Sequence, residues 1–229
     1  LELGPFVSDS EKDGDGNFYG DGTDWTDTTP TGWVVTKADN HGPTDAAASN
    51  VVKEFDGWTF LDPVSWNATA GQDRAQFTKG TGVIAVGDSD ESDDMDSARF
   101  NASLSTPAIS IERIDPGSLI LKYDSSWRKE PQTGTVSVSF DGADPVTLLT
   151  LTPDTPTAYN ETVTVRLNNP EGAKEAVITW DHQGKNNWWW AIDNIAISGE
   201  LKPLFTENFD SLELGPFVSD SEKDGDGNF

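Results

Sequence analysis

The sequence predicts an all-β chain, a two-sheet antiparallel jelly-roll sandwich, and three observations carry that prediction. Beyond residue 102, seven segments show mostly period-two alternation with Thr, Val and Ile enriched, and turns rich in Gly, Pro, Asn and Asp separate them. No stretch keeps a sustained 3.6-residue apolar period, so long amphipathic helices are not expected. Nine Trp and eleven Phe give the chain a large apolar inventory that a disordered acidic chain would lack. With 229 residues there is enough length to bury a sizeable core in one large β domain or two small ones.

One stretch occurs twice. Residues 1–18, LELGPFVSDSEKDGDGNF, recur unchanged as residues 212–229, which gives a period of 211 residues. An identity of that length reads as one period of a tandem array with the next period begun, or as a deliberate duplication. On the array reading residues 1–199 form a jelly-roll module, 200–203 a linker, and 204–229 the opening of the next repeat.

Forty acidic against fifteen basic residues leave a net charge of -25, which repels nucleic acid and anionic membrane and attracts divalent cations or basic partners. The longest apolar runs, such as 83–86 and 188–192, are far shorter than a bilayer span, so membrane insertion is not expected. The chain has no signal-peptide pattern and reads as an interior piece of a longer secreted precursor, placed outside the cell or on its surface. It contains no cysteine, so any crosslinking in that setting would come from metal ions.

Taken in order, residues 1–7 are a short apolar segment, and an acidic loop follows. Asp13, Asp15, Asn17, Asp21 and Asp24 fall at positions 1, 3, 5, 9 and 12 of a twelve-residue loop, with the Tyr19 carbonyl at position 7. This is the ligand spacing of an EF-hand-type calcium loop. Calcium takes six to eight hard oxygen ligands, and alternate residues of a tight loop can point at one ion. Phe18 stands where the pattern wants Gly, and no flanking segment reads as a helix, so only the coordination scheme transfers. A solvated acidic turn is the alternative.

After Pro30, residues 33–36 read as a strand and 39–49 as a loop. Residues 54–82 set Phe55, Trp58, Phe60, Trp66 and Phe77 among turn formers, as in a loop-rich region anchored over a sheet edge, with one helical turn at 73–77. Residues 83–86 are a short buried strand leading into GDSDESDDMD. There Asp88, Asp90, Asp93, Asp94 and Asp96 crowd together, which points to a second calcium site or a plain acidic loop. The seven later segments are LSTPAISI, SLILKYDSSW, GTVSVSFDG, VTLLTLTP, ETVTVRLN, EAVITWDHQ and WWWAIDNIAIS. Within the last, Trp188 and Trp190 share a face opposite Trp189. They are candidates for stacking on a sugar ring or a neighbouring subunit unless covering loops bury all three.

The motifs ENFD, GW-V, LSTPAISI and WWWAIDNIAIS, in that order, resemble secreted bacterial jelly-roll domains related to MAM and cleaved-adhesin (choice-of-anchor) modules. The resemblance implies that an opening acidic strand supplies Glu207 and Asp210, and the closing strand Asp193, to a structural calcium. It also implies a module boundary near Pro203, so that LFTENFD, residues 204–210, is a first strand left at the carboxyl end.

Catalysis is not expected. Gly87-Asp88-Ser89 superficially matches a lipase block, but no Asp-x-x-His follows to supply a base. His41 and His182 are in no ligand-spaced cluster, which makes zinc improbable. Paired carboxylates nominate no glycosidase in so acidic a chain. The Asn67, Asn101 and Asn160 sequons are weak signals. Two functions remain: a calcium-stabilised structural repeat of a fibre or adhesin, linked head to tail to copies of itself by strand donation, and a carbohydrate-binding module that takes glycans.

Overall fold

The computed structural model describes residues 1–38, 52–92, 99–205 and 219–228. Its elements run β1 (Trp25–Thr26), β2 (Val34–Lys37), β3 (Trp58–Leu61), α1 (Pro63–Ala70), β4 (Ile84–Asp88), α2 (Ser89–Ser92), β5 (Phe100–Ser105), β6 (Ile109–Ser110), β7 (Ile120–Trp127), β8 (Thr133–Phe140), β9 (Val146–Leu151), β10 (Ala158–Arg166), β11 (Glu175–Gly184) and β12 (Trp189–Ser198). One sheet has the order β1-β3-β4-β12-β7-β10, the other β2-β5-β11-β8-β9 with β6 also on β11. Every named pairing is antiparallel, so the chain is an all-β two-sheet sandwich.

Alternation builds the space between the sheets. On β11, Ala176, Ile178, Trp180 and His182 are buried while their neighbours face outward, and Val136 and Val138 of β8 do the same beside them. From the opposite sheet Leu121, Tyr123 and Trp127 of β7 meet this face, and Trp180 packs edge-on against Tyr123 at 5.6 Å. The seven segments read from the sequence all contain strands here, the first of them divided between β5 and β6.

The outer face of the first sheet carries a second apolar layer. Phe6, Val52, Phe55, Trp66 and Phe77 lie over Ile84, Val86, Trp189 and Ala191, so β4 and the first half of β12 are buried on both faces. Residues 54–77 therefore cover a sheet face rather than an edge, and they hold a strand and a helix that the turn-rich composition hides. Asp62 starts α1: its carboxylate accepts the amides of Val64 and Ser65, both at 2.9 Å, and Pro63 needs no partner in the first turn. The helical turn expected at 73–77 is the 3-10 turn Arg74–Gln76.

Trp190 points between the sheets and is 0% exposed. Its indole N–H donates to Ser125 Oγ at 3.0 Å, and Trp58 and Trp127 stand edge-on at 5.7 and 6.0 Å. A Cβ on Gly134 would fall 2.9 Å from its ring, so that close approach requires glycine.

Pairing along β12 is uneven. Residues Trp189 to Ile192 pair with β4 on one side, while β7 lines the other side from Trp190 to Ser198, with a bulge between Asp193 and Ala196. Among the described residues, the β4 side of β12 has no strand partner beyond Ile192. After β12 the chain stays extended: Leu201 bridges Ile114, the Lys202 amide donates to Arg113 O at 2.8 Å, and Glu200 O accepts the Asp115 amide at 2.7 Å. Leu204 and Phe205 then project into solvent, 93% and 81% exposed. The rest of the expected strand 204–210, including Glu207 and Asp210, lies outside the described residues, as do the expected loop 39–49 and Asp93.

Candidate functional site

The acidic loop 13–24 folds as two turns. In the first, Asp13 Oδ1 accepts the amides of Asp15 and Asn17, both at 2.9 Å, and the Asp13 amide donates to Asn17 O at 2.7 Å. These bonds, led by the one from Asn17, hold the Asp13 carboxyl below its ordinary value. The second copy folds alike: Asp224 Oδ1 accepts Asp226 and Asn228 at 2.9 Å, and the Asp224 amide donates to Asn228 O at 2.7 Å. Identical geometry at two places in the molecule marks the turn as a local property of Asp-Gly-Asp-Gly-Asn.

In the second turn Asp21 accepts the amide and hydroxyl of Thr23, which lower its carboxyl. Asp24 is 1% exposed, and its carboxylate takes four donors: the amides of Phe6, Asp21 and Gly22 and the Ser65 hydroxyl, at 3.4, 3.0, 3.2 and 2.7 Å. A Cβ on Gly20 would overlap Asp24 Oδ1 at 1.8 Å. Asp24 thus pins the loop to the core, a different task from that of a twelfth-position ligand open to an ion. Tyr19 donates its amide to Glu11 O and packs on the outer apolar layer. Asp13, Asp15 and Asn17 share one turn, and Asp21 and Asp24 the other.

Asp88 is also committed. Its Oδ2 accepts Trp66 Nε1 and Arg74 Nη2, both at 3.1 Å, and its Oδ1 caps the amides of Asp90 and Glu91 in α2. Asp90 accepts Gln72 Nε2 at 2.7 Å. Among the described residues, no three His, Cys, Asp or Glu side chains stand at metal-ligand spacing. The arrangement also contains residues that the sequence reading left out. Arg74 is buried, its guanidinium lies over Trp66 and Trp189 at 5.1 and 5.5 Å, and it pairs with Asp88 and Glu91. Glu54 is buried too and accepts the amides of Val7 and Ser8 and the Ser8 hydroxyl. A lone Arg or Glu among turn formers carries no periodic signal that would reveal its burial.

The tryptophan pair is not a platform. Trp190 is in the core, a correction with a simple cause: Trp190 takes the face of β12 that looks between the sheets, and Trp189 the face under the outer layer. Trp188 is half-buried, and the Arg128 guanidinium lies 3.6 Å from its ring centroid.

Among the described residues, the ground beside β12 is left open. A groove of about 160 Å³ runs there, walled by Leu1, Trp33, Val83, Leu104, Ile192 and Ile195. Trp33, Val83, Ile195 and Ile197 pack on the main core yet stay partly exposed. Asp193 stands at its rim and accepts the Thr81 amide at 3.0 Å.

No family model and no curated protein matches the chain. Among solved structures, it is similar to the K1 cleaved adhesin domain of Lys-gingipain from Porphyromonas gingivalis W83, at 17% identity over 75% of this chain and 93% of that one, with a TM-score of 0.47. It is also similar to TmCBM61 in complex with beta-1,4-galactotriose, at 13% identity over 74% and 90%, TM-score 0.45. The K3 cleaved adhesin domain of the same gingipain gives 19% identity over 74% and 93%, TM-score 0.44. At these identities and scores the likenesses carry nothing about this chain's ligands.

Proposed function

We propose that the chain is a non-catalytic, extracellular structural module that joins to copies of itself, with the segment 204–210 of one module filling the groove beside β12 in the next. The observation that carries this reading is the half-paired β12. Among the described residues its backbone beyond Ile192 has no strand on the β4 side, and Ile192 and Ile195 line an apolar groove there; natural sheets seldom leave such an edge uncovered. An added strand supplies ladder bonds and side chains together.

The repeat supports the same occupant. The residues before Leu212 are LFTENFDS, so in an array the same residues precede Leu1, and Leu1 lies at the groove. Were 204–210 extended, Phe205 and Phe209 would share one face, suited to the space between Trp33 and Ile195. The linker is tied to Arg113 and Asp115 at residues 200–202, and the proposed path runs outward from those ties. In this reading Glu207 arrives near Asp193, and calcium would hold such carboxylates together, as the acidic turns at Asp13 and Asp224 would hold it at the surface. A non-catalytic role fits Ser89, whose buried hydroxyl donates to Trp188 O at 3.0 Å, and His182, buried against Gln132. A glycan-binding role would need aromatic faces other than those of Trp188 and Trp190.

Light scattering on the full chain tests the proposal. Concentration-dependent, open-ended oligomers are expected, and Phe205→Asp with Phe209→Asp should reduce them to monomer. A wild-type chain that stays monomeric at every concentration would contradict the reading.

A further inference from the structure

Residues 4–8 lie in a cradle built by residues beyond the first repeat. The Gly4 amide donates to Trp25 O at 2.9 Å, and Gly4 O accepts the amides of Asp24 and Trp25 at 2.9 and 3.1 Å. Pro5 O accepts Trp25 Nε1 at 2.9 Å. The Phe6 amide donates to Asp24 Oδ2 at 3.4 Å, and the Phe6 ring is buried in the layer over the outer sheet face. The buried Glu54 carboxylate accepts the amides of Val7 and Ser8 and the Ser8 hydroxyl, while Ser8 Oγ accepts the Lys53 amide at 3.0 Å.

The groups held in the cradle all belong to the stretch that occurs twice, and the partners that hold them all lie outside it. Residues 215–219 repeat GPFVS, so they carry the same ring, carbonyls, amides and hydroxyl. The two copies also share their local shape where both are described. The 3-10 turns Asp9–Glu11 and Asp220–Glu222 correspond, with the Glu11 amide donating to Ser8 O at 3.1 Å and the Glu222 amide to Ser219 O at 3.0 Å. Their surroundings differ: Glu11 is buried, whereas Ser219 and Glu222 are exposed. One copy is seated, and the described part of the other stands in solvent with the turn that the seated copy shows.

We infer that Asp24, Trp25, Lys53 and Glu54, with the pocket that takes Phe6, form a peptide-binding site for the repeated segment, and that residues 215–219 of a second copy of the chain are its other ligand. An empty cradle would leave the Asp24 and Glu54 carboxylates short of donors beside an open apolar pocket. A segment that restores every one of these contacts is favoured over vacancy. The chemistry required is narrow: a Phe for the pocket, the two amides after it for Glu54, and a hydroxyl between Glu54 and the Lys53 amide. In the intact chain residues 4–8 hold the site by their tether, at an effective concentration that a separate chain does not match. Exchange therefore belongs to a resident segment that has been displaced, or to a neighbour already held alongside. The site is separate from the groove beside β12.

The test uses full chains that all carry Ile195→Arg, which obstructs that groove, so its result is read apart from the linkage proposed there. Melting temperatures are compared for this parent, for Phe6→Asp, for Phe217→Asp and for both changes together. Phe217→Asp should melt with the parent. Phe6→Asp should melt well above the double variant, and its melting temperature should rise with protein concentration, because the sound segment comes from a second chain. The double variant should melt lowest, at a temperature that concentration does not change, and its failure to fold would be the same result in its extreme form. The synthetic peptide LELGPFVSDSEKDGDGNF, added in excess, should raise or restore the transition of the double variant, and the peptide with its first Phe replaced by Asp should need about tenfold more or higher. Phe6→Asp melting as low as the double variant, a rescue that does not depend on concentration, or equal effects of the two peptides overturns the inference.

Discussion

Buried carboxylates do most of the positioning in this molecule, and their partners set what a substitution costs. Asp24→Ala would strand three amides and the Ser65 hydroxyl under the loop. A loss of roughly 2–4 kcal/mol is expected in urea unfolding. Arg74→Met would leave Asp88 and Glu91 buried without their counter-charge, and should cost about 3–5 kcal/mol in the same measurement. The pH dependence has a definite sign. The folded-state value of Glu11 is raised from 4.5 to about 8, so without divalent cations its contribution is fully present below about pH 4.5 and is lost as pH rises through about 8. Glu91 adds a parallel loss through about 7. A melting temperature in EDTA that falls between pH 5 and pH 8, and falls less in Glu11→Gln, would bear this out. At this scale the sequence was half legible. Asp13, Asp15 and Asn17 declared a turn because its bonds are local, whereas the burial of Glu11, Glu54 and Arg74 depends on which distant loops cover them.

Strands declared themselves where one face is solvated. β8 and β11 alternate cleanly, so their period was visible, but β3 and β4 are buried on both faces and show only short apolar runs. Helix α1 has eight residues, of which Ser65 and Trp66 are buried, so it has no apolar stripe. Asp62-Pro63, its start signal, was its only announcement. β12 is buried on both faces too, and its alternation runs so that Trp190 faces the core between the sheets and Trp189 the covering layer, a phase that the sequence left open. Trp190→Ala is expected to cost about 3–5 kcal/mol through the cavity it leaves. Trp188→Ala removes a half-covered ring and should cost clearly less in the same denaturant series.

At the scale of the whole molecule, the proposed linkage rests on a groove near Leu1, beside a strand edge with no strand partner among the described residues, and on exposed Leu204 and Phe205. If segment 204–210 of one chain fills the groove of another, as proposed, the contact is heterologous and propagates instead of closing. On the array reading, the repeat of residues 1–18 places a module's opening segment after its closing strand, which is what suggests such an arrangement. The groove proposed for the segment came into view only with the pairing of β12. A mixing experiment tests this most directly. One full chain carries Ile195→Arg, which obstructs the groove, and the other carries Phe205→Asp and Phe209→Asp, which spoil the strand. The account predicts that each alone sediments as a monomer and that the mixture forms a heterodimer that grows no further, since the sound strand of the first fits the sound groove of the second. A mixture that remains monomeric while the wild-type chain polymerises would contradict it.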